Sequence, residues 1–136
     1  MATECQVTLT IGKFGPDPSV VTSLIGIKPT RTDVAGQPFR GHRSVVSKAT
    51  IWYLDSPLGR RADLHKQLEA LLAVLGEREA AVSKVTSLYH AEIECRLTTQ
   101  IEREEDRIAV LILPNNQLQL MTRLGLDFTY ALTVEN

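Results

Sequence analysis

A chain of 136 residues, 43% apolar and 23% charged, has the make-up of one globular domain, which excludes a disordered chain or two ordinary domains. Its 15 basic and 16 acidic residues leave a net charge of −1, so a general affinity for nucleic acid is not expected. No basic-then-apolar leader opens the chain and no apolar run reaches the roughly 18 residues that span a bilayer, so no membrane association is expected and the expected location is the cytoplasm.

Cys5-Gln6-Val7-Thr8-Leu9-Thr10-Ile11 alternates strictly and predicts a half-buried strand. Gly15-Pro16-Asp17-Pro18 then supplies a helix start, with Asp17 as the capping acceptor and Pro18 at the first helical position. The helix is short, Pro18 to Ile25, and Gly26 can take the left-handed turn that closes it. Ile27 to Arg43, with Pro29, Gly36, Pro38 and Gly41, reads as a long loop. Ser44 to Leu54 reads as one strand, and near its end Ile51 and Tyr53 face one way while Trp52 and Leu54 face the other. A strand apolar on both sides belongs inside a sheet covered on both faces.

After Ser56-Pro57-Leu58-Gly59, the leucines Leu64, Leu68, Leu71, Leu72 and Leu75 recur at helical spacing up to Gly76, and Glu77 to Val85 continues as a shorter helix. Alternation returns from Ala91, with Ala91, Ile93, Cys95 and Leu97 inward. Glu102 to Asp106 is a polar turn, and Arg107 to Leu113 is expected to pair back as a hairpin. Asn116 starts another short helix, Gly125 stops it, and Leu126, Phe128, Tyr130, Leu132 and Val134 alternate in a final strand. Both cysteines, Cys5 and Cys95, fall on apolar strand positions, so they are expected to be reduced, buried and unreactive.

Shifting the chain by 99 residues superposes Leu9 on Ile108, Asp17 on Asn116, Ile25 on Leu124 and Gly26 on Gly125. Two origins remain open for this similarity: duplication of a βαβ half, or two short capped helices built alike by chance. The expected plan is an α+β domain over residues 1–136. It has a mixed or antiparallel sheet of about five strands, helices mostly on one face, and a split-βαβ, ferredoxin-like character.

Leu24-Ile25-Gly26-Ile27-Lys28-Pro29-Thr30, then Gly36, then Ile51-Trp52-Tyr53-Leu54-Asp55-Ser56 form an ordered set of landmarks. With the leucine-rich central helix and the closing Leu124-Gly125-Leu126-Asp127-Phe128, they resemble the bacterial family catalogued as domain of unknown function 4279. The family's Leu-Gly step reads Ile25-Gly26 in this chain. The resemblance implies no catalytic residues. It implies that some relatives stand beside toxin genes as suspected immunity proteins, so a toxin-like protein partner is the expectation it carries.

Five donors, Lys28, Arg31, Arg40, His42 and Arg43, lie within sixteen residues against one acid, Asp33. Such a cluster can grip an anion or an acidic protein surface, or it can be a solvated loop paired with Glu102 to Asp106. Its glycines match neither phosphate-binding pattern. Trp52 beside Tyr53 is either a ligand shelf or, more in keeping with a central strand, core.

His90, Glu92 and Glu94 share a strand face that could approach a metal but reads better as a wet sheet surface. No serine or cysteine sits in an activated-nucleophile setting. The sequence thus points to a non-enzymatic interaction module without cofactor, homo-oligomeric or not. The alternative is a sensor of small anions that uses the basic segment from residue 28 to residue 43.

Overall fold

The computed structural model describes residues 3–39, 42–100 and 113–135, with backbone alone for Thr3, His42, Arg43, Thr99, Gln100, Leu132, Val134 and Glu135. In chain order the elements are β1 (Thr3–Gly12), α1 (Ser19–Ile25), β2 (Arg31–Asp33), β3 (Pro38–Phe39), β4 (His42–Val46), β5 (Ile51–Asp55), α2 (Leu64–Gly76), α3 (Glu79–Leu88), β6 (His90–Gln100), α4 (Asn115–Leu124) and β7 (Asp127–Glu135). Five strands form a mixed sheet in the order β2-β5-β1-β6-β7, and β3 with β4 makes a separate two-stranded ribbon. The fold is therefore α+β, as the alternation of strand and helix periods predicts.

β5 runs antiparallel to both β1 and β2, so β1 and β2 are parallel with β5 between them and α1 in their connection. β6 is antiparallel to β1 and parallel to β7. Strand alternation sends Cys5, Val7, Leu9, Ile11, Trp52, Ala91, Ile93 and Cys95 to one face. There they form a single buried cluster with Val21 and Ile25 of α1, the leucines of α2, Val82 and Val85 of α3, and Met121 and Leu124 of α4. The described helices thus cover one sheet face. Burying a leucine side chain contributes about 1.5–3 kcal/mol, so the fully buried leucines of α2 are a main source of stability.

α2 also mends the sheet. β5 pairs with β1 over Thr8 to Ile11 and leaves the first half of β1 without a strand on that side. Fully buried Gln67 fills the gap. Its Oε1 accepts from Val7 N–H at 3.3 Å, and its Nε2 donates to the carbonyls of Cys5 and Ala62 at 2.8 and 2.9 Å. Two neighbours complete the ladder: Cys5 N–H donates to Arg60 C=O and Ser56 N–H to Val7 C=O, each at 2.8 Å.

The expected long loop contains β2 and β3, and the expected strand from Ser44 to Leu54 breaks between β4 and β5. β2 is three residues long and shows no alternation to announce it; pairing with β5 makes it a strand. The break is a turn in which Ser47 Oγ donates to Ala49 C=O at 2.8 Å and Ala35 N–H donates to Thr50 Oγ1 at 3.0 Å.

Asp17 caps α1, its carboxylate accepting from Ser19 N–H at 2.9 Å. Asn116 does not cap α4: it lies inside the first turn, and the capping position is held by Pro114, which makes no side-chain cap. The two helices do end alike, at Gly26 (φ 74°) and Gly125 (φ 73°). A Cβ at Gly26 would come within 2.6 Å of the Arg78 guanidinium, and one at Gly125 within 2.7 Å of Thr86 Oγ1. The expected polar turn and the strand from Arg107 to Leu113, apart from Leu113 itself, lie outside the described residues. β6, its expected hairpin partner, is bonded to β1 on one side and β7 on the other.

Candidate functional site

Arg31 stands opposite Tyr53 across the β2–β5 pair, and Asp33 opposite Ile51, on the sheet face away from the helices. The alternation that sends Trp52 into the core therefore gathers Arg31, Asp33, Tyr53 and Asp55 on the other side, with Thr8 opposite Asp55 on β1. Arg31 Nη1 donates to both Asp55 oxygens, at 3.1 and 3.0 Å, and its guanidinium carbon lies 4.5 Å from the Tyr53 ring centroid. Thr8 Oγ1 donates to Asp55 Oδ1 at 2.7 Å, and Tyr53 O–H donates to Asp33 Oδ2 at 2.8 Å. Arg31 Nε and Thr10 Oγ1 are buried without a hydrogen-bond partner among the described residues. The cluster is a nearly closed polar network, in which a carboxylate already holds one guanidinium nitrogen, Nη1.

Beside it stands the β3–β4 ribbon. Gly36 N–H donates to Ser47 C=O at 3.0 Å and Ser47 N–H to Gln37 C=O at 2.9 Å, which fixes the base of the ribbon. Its adjacent valines, Val45 and Val46, are 47% and 53% exposed. Between the ribbon and the β2–β5 edge is a cleft of about 340 Å³, walled mainly by Phe39, Val45, Val46, Ile51 and Tyr53, with Lys48 and Asp33 at its sides.

Of the residues expected at a binding site, Lys28 is exposed on the connection from α1 to β2. Arg31 is committed to Asp55 and Tyr53. The backbone of His42 and Arg43 belongs to β4, their side chains are among those not described, and Arg40 lies outside the described residues. Trp52 is corrected from the site to the core. It is fully buried and its indole N–H donates to Thr22 Oγ1 of α1 at 3.0 Å, which leaves no surface for a ligand. His90 Nε2 lies 3.8 Å from Glu92, Glu92 accepts from Thr129 and Glu94 pairs with Arg96. Among the described residues no group of three or more His, Cys, Asp or Glu is placed to hold a metal ion. No helix among them is long and apolar enough to cross a membrane.

Asp33, Asp55, Val45, Val46 and Lys48 are the members of this region that residue-by-residue reading passed over. One signal was present: from Val34 to Leu54 the chain carries no carboxylate, while Arg40, His42, Arg43 and Lys48 all fall there.

Over residues 3–135 the chain matches the family model described as Domain of unknown function (DUF4279). The chain belongs to this family. The match spans β1 to β7, so the sheet, the ribbon and the cleft are all parts of the DUF4279 domain. No curated protein and no solved structure gives a significant match to the chain.

Proposed function

We propose that this DUF4279 domain is a non-enzymatic binding module that recognises an acidic surface on another protein, as an immunity-type protein would cover a toxin partner. The observation that carries the reading is the β3–β4 ribbon. It stands outside the main sheet and exposes two adjacent valines, in a stretch with no carboxylate and four basic or titratable-basic side chains. Exposed apolar side chains in a basic stretch of chain suit a protein interface, where apolar contact supplies affinity and charge supplies orientation and rate. A sensor of small free anions is less well supported, because Arg31, the donor best placed by the sheet, already holds Asp55.

The test is complex formation with the product of a toxin gene beside this one, using Lys28→Ala, Arg40→Ala, Arg43→Ala and Lys48→Ala combined in one chain. Weaker binding with unchanged thermal stability is expected. The loss should be greater at low salt, where the Debye length grows to about 30 Å. Binding equal to the parent chain at every salt concentration would reject the reading.

A further inference from the structure

Resting on that binding role, we propose that the cleft under the ribbon is the anchor point, and that it receives an apolar side chain carried on an acidic segment of the partner protein. The cleft has a volume of about 340 Å³, enough for a bulky side chain and small beside most pockets for whole ligands. Its walls are apolar: Phe39, Val45, Val46 and Ile51 are supplied from two directions, the ribbon and the sheet edge. Interface energy concentrates where one large side chain fills such a pocket.

Charge decides what carries that side chain. Lys48 stands at the cleft, Arg40, His42 and Arg43 share the same short stretch of chain, and the carboxylates nearest in sequence are withdrawn. Asp33 is 5% exposed and accepts from Tyr53, and Asp55 is held by Arg31. A partner segment bearing Glu or Asp on either side of its apolar residue complements this surface. A second copy of this chain does not, because a two-fold contact would set Lys48 and the same carboxylate-free stretch against themselves.

The experiment is an amide-resolved NMR titration of the intact chain with a short blocked peptide that has a central Phe-Leu pair flanked by glutamates. A glutamine-flanked version serves as the control. Saturable shifts at Val45, Val46, Lys48 and Ile51 are expected, with the glutamine peptide about tenfold weaker at low salt. Val45→Thr with Val46→Thr keeps strand-forming side chains, so unchanged shifts of β1 and β6 report an intact fold while peptide binding is lost. Equal binding of both peptides, shifts centred on the helix layer, or no saturation at millimolar peptide would each overturn the cleft. Peptide binding that survives the double valine variant but is lost in the Lys28, Arg40, Arg43 and Lys48 variant also removes the cleft, while leaving the acidic-partner reading in place.

Discussion

A single buried polar side chain can hold more of a fold than several surface charges, and Gln67 does so in this molecule. It satisfies one N–H and two carbonyls in the gap beside β1. Gln67→Leu fills the same space but leaves those groups unpaired. A loss of about 3 kcal/mol in urea unfolding is expected, since each buried orphan costs about 1–3 kcal/mol. Gln67→Glu should be at least as damaging, because a carboxylate cannot donate to the two carbonyls. The signal for Gln67 was available, since it lies on the leucine stripe of α2 where a polar residue is out of place. Its partners on β1 were not, because Val7 and Cys5 lie 60 and 62 positions away.

The thiols give a second test at this scale. Burial pushes the Cys5 thiol up to about 11 and, together with the neighbouring Cys5 and Glu94, the Cys95 thiol up to about 12. A raised pKa means that the folded chain favours the neutral thiol. The stability it contributes is therefore whole below 9.0 and is lost as pH rises toward those values. Thiol labelling should be negligible in native protein at neutral pH and fast in denaturant; rapid labelling of the native chain would mean that the inward faces of β1 and β6 are misassigned.

At the scale of elements, the two short helices share their ends but not their beginnings. Asp17→Ala should lower the thermal midpoint by freeing the Ser19 N–H, whereas Asn116→Ala, inside the first turn of α4, should leave it nearly unchanged. The Ser19 backbone hydrogen bond holds the Asp17 carboxyl below its ordinary 3.8. Its contribution is present above that value and disappears as pH falls through the lower folded value, so the parent and the Asp17→Ala variant should converge in strong acid. Gly125→Ala should cost at least about 1 kcal/mol, because φ is 73° and the new methyl meets Thr86. Glycine stops are legible because only glycine takes that conformation freely. The absence of a cap at Asn116 was not legible, since a helix start is set by where packing ends as well as by which residue can cap.

Across the whole molecule, hydrogen bonding is densest at the sheet centre. β1 and β6 have strand neighbours on both sides, and β1 is further tied by Gln67 and the segment from Ser56 to Arg60. Amide exchange should be slowest there and fastest in the β3–β4 ribbon, which is bonded to no other strand among the described residues. Slow exchange throughout the ribbon would contradict its reading as an exposed binding element. The placement suits the proposed role, because a ribbon outside the core can change its side chains for a new partner without disturbing the residues that hold the sheet together.

What the sequence by itself determined is whatever repeats over a few residues. The alternation of β1, β6 and β7, the leucine stripe of α2, the glycine stops at Gly26 and Gly125 and the α+β class were all readable from periods of two and 3.6. The family landmarks were readable as well. Only the tertiary structure decided which strands are neighbours. It made β2 from a segment that looks like loop and divided the stretch from Ser44 to Leu54. It also set β7 parallel beside β6, placed Trp52 against Thr22, and gave Arg31 an acid 24 positions away. The physical reason is that register and pairing depend on which distant segments can close together and bury a common face, and that information is held by no single window of the chain.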